Sequence, residues 1–458
     1  MTESMMTLAE AAHALAATWS GDGEFTAVST DSRSIAPGEL FIALQGEKFD
    51  GHVYVRDVIA RGAAGAVVNA DFAAANADLP LIAVEDTRRA LGHLAAHWRK
   101  RFSIPVIGVV GSNGKTTVKE MCASILRTHY GADQVLATAG NLNNDIGLPS
   151  MVLRLRDTHR VAVLEIGMNH PGETAELAAI ALPTVALINN AQREHQEFMK
   201  SVLAVAEEHA AIIDALPGEG IATFSGDDNF APMWRSRAGA RKVLAAGIDW
   251  QSEVNGRYQQ HGFGGLLALE TPFGNAAANL CISGRHNARN ACIAAAATLA
   301  AGAALDAVVR GLEAFVGVKG RLQRRNGKAG ALVIDDTYNA NPDSMRAAVD
   351  VLAGVPGKRI FVMGDMGEVG DQAGQYHDEI GGYAKSHSID RLFCLGEFAL
   401  AAAHNFGAGA THFERVEDLI KALKPEIDAN TTVLVKGSRF MRMERVADAI
   451  VEEIQNVA

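Results

Sequence analysis

Residues 106–117 read VIGVVGSNGKTT, a run whose residue types suit the grip of a polyphosphate. An apolar strand enters, Gly111 and Gly114 turn the backbone tightly, and a helix is predicted to begin at Lys115. Bare N–H groups at a helix start, with the positive end of its dipole, attract phosphate oxygens. The backbone of Gly111, Ser112, Asn113, Gly114 and Thr117 would wrap the nucleotide. Lys115 would supply a point charge to its outer phosphates, and the Thr116 hydroxyl would ligate magnesium. The spacing departs from the usual phosphate loop, which would need its first glycine where Val109 stands. Such a loop implies a nucleotide but leaves the reaction open, since kinases, motor ATPases and GTPases share it. No Asn-Lys-x-Asp motif for reading guanine is present, so the expected cofactors are ATP and Mg2+.

Two further residues fall where they could join this loop. The apolar run at residues 161–166 carries Glu165 near its end, and in a parallel sheet that position lies beside the phosphate loop. Magnesium prefers oxygen ligands shared with substrate phosphates, which makes Glu165 a candidate ligand; the alternative is a carboxylate capping a strand. The next run, 185–189, leads into Asn189-Asn190-Ala191-Gln192-Arg193-Glu194-His195 and puts His195 on the same sheet edge. A lone histidine there is more often structural than catalytic.

The elements needed to position these groups are legible in outline. The chain has 458 residues, too many for one ordinary core, and its 48% hydrophobic and 21% charged residues suit buried globular domains rather than disorder. With 42 basic against 53 acidic residues the net charge is −11, which argues against a general nucleic-acid or acidic-membrane binder. The four cysteines are scattered without a CxxC pair and read as small buried apolar residues. The N-terminus carries Glu3 and Glu10 and lacks the basic start and apolar core of a signal peptide. No charge-free apolar stretch approaches 18 residues, so no membrane span and a cytoplasmic location are expected.

The predicted fold is α/β in three domains. Residues 1–101 form a small N-terminal α/β domain, with helices over 7–19 and 54–61 and strands over 40–44 and 65–68. It ends at the basic run Arg99-Lys100-Arg101, before Pro105. Residues 102–318 form a central parallel-sheet domain around the phosphate loop, with a hairpin-like appendage at 258–284 and a closing helix at 287–300. Residues 319–458 form a Rossmann-like C-terminal domain, with strands at 332–335, 360–363, 392–395 and 433–436. Its helices fall at 342–352, 375–386 and 441–454.

These motifs, in this order, resemble the Mur ligases over essentially the whole chain. The likeness rests on residues 30–33, Gly38-Glu39-Leu40-Phe41, Asp50-Gly51-His52, the phosphate loop, and Gly140-Asn141-Leu142-Asn143-Asn144 with Gly147-Leu148-Pro149. It continues through Glu165-Ile166-Gly167-Met168, Gly284-Arg285-His286-Asn287 with Asn290, residues 335–341, and Gly364-Asp365-Met366. Each is weakly specific alone; their joint order is very specific. The resemblance implies an ATP-dependent acid–amino-acid ligase of peptidoglycan synthesis, read as a monomer. Its expected substrates are UDP-N-acetylmuramoyl-tripeptide and D-alanyl-D-alanine. The Asn141, Asn143, Asn144 turn and Asp365-Met366-Gly367-Glu368 favour that dipeptide-adding branch over folylpolyglutamate synthase or a Mur enzyme adding another amino acid.

The resemblance also implies roles for single residues. Ser32, Arg33, Asp50 and His52 match the region that holds the UDP end of the substrate, and Asn141, Asn143 and Asn144 face its phosphates and peptide. Asn287 and Asn290, one helical turn apart, would read adenine, and Arg321 would reach the γ-phosphate. Asp336, Tyr338 and Asn341 would contact ribose and adenine. The implied catalytic set is Lys115, Glu165, His195 and Arg321, with Thr116, Glu165 and His195 around the metal. One departure stands out. Many Mur ligases carry a carbamylated lysine about a dozen residues after the histidine, and here that stretch reads Ala206-Glu207-Glu208-His209-Ala210. Glu207 or Glu208, or a water, is expected to take its place. Closure of the three domains around ATP and peptide is expected as well. The reading from another class is a phosphate-loop ATPase that binds or moves a partner without ligating anything.

Overall fold

The computed structural model describes residues 4–195 and 197–452. In the N-terminal region, a five-stranded sheet runs Thr18–Trp19, Leu81–Val84, Gly65–Asn69, Leu40–Ile42, Val28–Ser29, parallel except for its first pair. The helix predicted over 7–19 spans only Leu8–Ala14. Ala16 takes a left-handed φ of 51°, which breaks the helix and frees Thr18–Trp19 to add an edge strand. Alanine carries no signal for such a turn. The second helix is split into a 3-10 turn, Gly51–Tyr54, and a helix, Val55–Ala60.

Helix Thr87–Arg99 leads out of this region, capped by the Asp86 carboxylate, which accepts from the Arg88 and Arg89 N–H groups. Its end packs on the central domain. The Trp98 indole donates to the Leu155 carbonyl at 3.1 Å, and the Arg99 guanidinium to the Ala181 carbonyl at 2.9 Å. One hydrophobic core therefore passes without a break from Leu91 and Leu94 to Val106, Val110 and Ile188.

The central sheet is wholly parallel, in the order Val135–Ala137, Val161–Glu165, Val106–Val110, Val185–Ile188, Ile221–Phe224, Lys242–Val243. Its four middle strands are apolar and almost fully buried, as expected of strands covered on both faces. The Val106–Val110 strand has the next two apolar runs as its neighbours, one on each side. That arrangement is a topological switch point, where open α/β sheets bind ligands. The expected hairpin is larger than predicted: Ala246–Gly247, Val254–His261, Gly264–Thr271 and Gly274–Leu280 make a four-stranded sheet. It shares a core with the buried helix Arg285–Ala300 and the inner face of helix Lys115–Tyr130.

The C-terminal sheet has six strands, ordered Gln323–Asn326, Leu332–Asp336, Thr431–Lys436, Lys358–Gly364, Arg391–Leu395, Ala410–Phe413. All pairs but the first are parallel. Its helices include Pro342–Ala353 and Ala373–Ser386, close to prediction. The last spans Glu444–Ile450 rather than 441–454, because Arg442 adopts a left-handed φ of 50° after a 3-10 turn; residues 453 and 454 lie outside the described residues. Among the described residues, no helix is long and apolar enough to cross a membrane.

Candidate active site

The phosphate loop leaves its strand at Gly111 and turns into helix Lys115–Tyr130 at Gly114, whose φ of 78° is left-handed. A Cβ at Gly114 would stand 2.8 Å from the Asn189 amide nitrogen and 3.1 Å from the Asn290 amide, so glycine is required twice over. The first half of the loop is tied to the next strand end. Asn190 accepts from the Ser112 N–H through its carbonyl (3.1 Å) and from the Asn113 N–H through its side chain (2.8 Å). Asn189 and Asn190 in turn donate to the Asn113 carbonyl. Among the described residues no side chain caps the helix at Gly114, which leaves its opening N–H groups available to an anion.

This helix start lines a cavity of about 920 Å³ between the central and C-terminal domains, which also reaches Arg88 and Asp145. The cavity gathers Ser112, Asn113, Gly114, Lys115, Thr116 and Thr117 with Asn141, Asn143, Asn144, Glu165 and His195. Asn287 and Asn290 join them from helix Arg285–Ala300, and the C-terminal region adds Arg321, Asp336, Tyr338 and Asn341. Gly111 lies behind the wall, and Ser32, Arg33, Asp50 and His52 do not line this cavity.

Each charged group is held by particular partners. The Lys115 ammonium donates to the Gly111 carbonyl and sits 3.3 Å from a Glu194 carboxylate oxygen. Arg321 donates to the Thr116 hydroxyl at 2.9 Å and lies over the Tyr338 ring, 4.2 Å from its centre. Asp336 accepts from Lys436 at 2.7 Å and from the Leu322 N–H at 3.0 Å. Asn341 caps helix Pro342–Ala353 and donates its amide to Asn113 at 2.9 Å, so the loop touches the C-terminal domain directly. Asn290 accepts from Asn189 and donates to Asn287, bracing Gly114 from below with an amide already engaged on both sides.

Glu165 bears on the metal. Its carboxylate is buried; one oxygen accepts from Asn143 at 2.8 Å, while the other finds no hydrogen-bond partner among the described residues. A buried, partnerless carboxylate oxygen is costly unless a cation meets it, and oxygen is the donor magnesium prefers. Glu165 with the Thr116 hydroxyl therefore fits Mg2+. His195 is placed differently: its Nδ1 lies 2.7 Å from Glu368 and its Nε2 3.8 Å from Glu194. Among the described residues, no group of three or more His, Cys, Asp or Glu converges as a ready-made metal cage. The phosphates would then have to supply much of the coordination.

The expectation for Glu207 and Glu208 is not met. Glu208 accepts from the Gly172 and Thr174 N–H groups, both at 2.8 Å, at the start of helix Glu173–Ala181, and Glu207 is exposed. Neither reaches the cavity. On helix Val202–Asp214 the residue that turns inward is His209. It is 1% exposed, with its Nε2 3.0 Å from Glu194. Burial works to raise the Glu194 pKa, yet Lys115, His209 and His195 beside it pull it down to about 2.

In the N-terminal region, Asp50 accepts from the His52 N–H and ring at 2.9 and 2.6 Å, and the other His52 nitrogen accepts from the Asn69 N–H at 3.0 Å. Arg33 forks onto the Asp31 carboxylate at 2.9 and 2.8 Å, and Arg61 donates to the Ser32 carbonyl.

Three family models cover most of this architecture: the Mur ligase catalytic domain over residues 24–99, the Mur ligase middle domain over 109–298, and the glutamate ligase domain over 320–439. The chain belongs to the Mur ligase family. Among curated Mur ligases, it is 41% identical to the UDP-N-acetylmuramoyl-tripeptide–D-alanyl-D-alanine ligase of Escherichia coli, across 93% of this chain and 94% of that one. Of solved structures, MurF from Acinetobacter baumannii superposes with a TM-score of 0.90 at 35% identity, covering 98% of this chain and 99% of that chain. The Thermotoga maritima MurF ligase, solved in complex with ADP, superposes at 0.81 with 26% identity over 92% of this chain and 96% of its own.

Within this Mur ligase, several groups at the site escaped the sequence reading. Glu194 adjoins His195 and Glu368 follows Gly367, yet an acidic residue in a loop carries no signal of its partner. Arg193 is the most extensive of them. It pairs with Asp343 at 2.7 Å and Glu379 at 2.9 Å, both in the C-terminal domain, and stacks 5.3 Å from the centre of the Tyr376 ring.

Proposed function

We propose that this Mur ligase consumes ATP to join D-alanyl-D-alanine to the terminal carboxyl of UDP-N-acetylmuramoyl-tripeptide. The observation that carries the reading is the near end-to-end likeness to ligases of that name, over a chain whose two later domains share one polar cavity. In the first step the peptide carboxylate attacks the γ-phosphorus of ATP, giving an acyl phosphate and ADP. In the second, the dipeptide amine attacks the activated carbonyl and phosphate leaves. A carboxylate and a triphosphate repel each other, so the site must neutralise charge as they meet. Lys115 and Arg321 are the cations aimed at that point, and the N–H groups after Gly114 hold the phosphates still. When bound, Mg2+ adds charge neutralisation, held by Glu165 and Thr116, with His195 on the same sheet edge. No side-chain nucleophile is needed; the work is orientation and electrostatics.

In this reading residues 1–101 receive the UDP end of the substrate, 102–318 bind ATP, and 319–458 contact both ATP and the incoming dipeptide. The enzyme acts in the cytoplasm, where ATP is available, and as a monomer. Phosphate release with purified sugar-tripeptide tests the reaction directly. It should require D-alanyl-D-alanine and Mg2+, and single amino acids should not substitute. Phosphate release that ignores the acceptor would instead support an ATPase acting on a partner.

A further inference from the structure

Glu194 and His209 form a buried pair behind Lys115 that the proposed chemistry does not use. The Glu194 carboxylate is 6% exposed: one oxygen lies 3.0 Å from His209 Nε2, and the other lies 3.3 Å from Lys115 Nζ with His195 Nε2 3.8 Å away. We infer that Glu194 is a positioning residue for Lys115, and that His209 fixes Glu194 so that the lysine ammonium stays at the mouth of the phosphate loop. This rests on the ATP-binding reading of that loop.

Three features support it. A lysine has four rotatable side-chain bonds, and ordering it costs rotamer entropy. Here its ammonium is confined in advance by Glu194 and by the Gly111 and Ser112 carbonyls. His209 also makes poor sense as a stabilising residue. Among the described residues its buried Nδ1 has no hydrogen-bond partner, whereas an apolar side chain would fill the space without stranding a polar atom. A buried ion pair is in general weak evidence for stability, and an apolar replacement of equal volume often does as well. The geometry also has a direction. His209 comes from helix Val202–Asp214, Glu194 from the loop after strand Val185–Ile188, and Lys115 from the first turn of its helix. Contact passes from a rigid helix through a carboxylate to the charge that must meet the phosphates.

The test pairs a spectroscopic readout with kinetics. Lysine ammonium protons give an NMR signal only when hydrogen bonds hold them, and K115R assigns the Lys115 signal. In nucleotide-free protein this signal should be present in the wild type and in H209Q, whose amide nitrogen replaces Nε2. It should be lost in E194Q and H209L. In steady state, E194Q should lower kcat by about tenfold or more while KM for ATP moves less than about threefold, with H209Q close to wild type. An unchanged Lys115 signal in E194Q, or wild-type kcat in E194Q, overturns the inference; if H209L does not fold, E194Q and H209Q still decide it. The signal needs no nucleotide, so a protein that shows it yet fails to bind ATP would sink the proposed function and leave the positioning intact.

Discussion

Around the phosphate loop, polar groups are held by residues remote in sequence, whereas in the N-terminal region they are held mostly by near neighbours. Asn113 meets Asn341 across 228 positions and Thr116 meets Arg321 across 205. Arg33 meets Asp31, and His52 meets Asp50, across only two. These two pairings exist only when the central and C-terminal domains are docked, so the geometry of the loop reports how those domains meet. Local partners persist whatever the domains do. The difference separates residues that act by convergence from residues that keep a turn in shape and offer the substrate a surface.

The sharpest way to break this comparison is at Lys115. K115M removes the one charge that the loop itself carries to the phosphates and should lower ligation by about a thousandfold or more, read as phosphate release. A variant within tenfold of wild type would mean that the cavity is not where phosphoryl transfer happens. Next in size is E165Q. Its amide oxygen can still accept from Asn143, but it turns an NH2 group toward the place a cation would occupy. A loss of about a hundredfold is expected at low Mg2+, partly recovered as Mg2+ is raised. An unchanged Mg2+ titration would show that the partnerless Glu165 oxygen has another purpose.

These two residues also mark how far the sequence could be read. Strand, glycine turn and helix start follow from local chemistry, so the loop was legible to the residue. Glu165 followed almost as directly, because buried parallel strands are continuous apolar runs and their ends show. What did not show were partners reached through tertiary contact. Nothing in residues 189–195 announces that Arg193 will pair with Asp343 and Glu379, or that Glu194 will meet a histidine one helix later. The helix ends at Ala16 and Arg442 were hidden for another reason: a left-handed turn at a residue other than glycine is imposed by packing, and composition carries no trace of it.

Arg193 tests the convergent half of the comparison at intermediate size. Its guanidinium spans two carboxylates of the C-terminal domain, and R193Q would leave Asp343 and Glu379 facing one another without it. The junction should loosen, with a larger radius of gyration in nucleotide-free solution and kcat lower by about tenfold. If R193Q keeps both the wild-type radius and rate, the contacts through Asn113, Thr116 and His195 suffice to dock the domains.

The smallest effect is expected at His52, where the local half of the comparison is exposed to test. The side chain is 5% exposed, and it joins Asp50 on one side to the Asn69 N–H on the other. H52A removes both bonds and leaves the Asn69 N–H to find another acceptor, at a cost of about 2 kcal/mol, or a few degrees in Tm. Both ring nitrogens are already engaged, so a direct grip on the UDP group would require breaking one of these bonds. KM for UDP-N-acetylmuramoyl-tripeptide should therefore stay within about twofold of wild type in the folded fraction. H52Q, able to reach only one of the two partners, should fall between wild type and H52A in Tm. A tenfold rise in KM with an unchanged melting temperature would reverse the assignment, and His52 would join the residues that touch substrate.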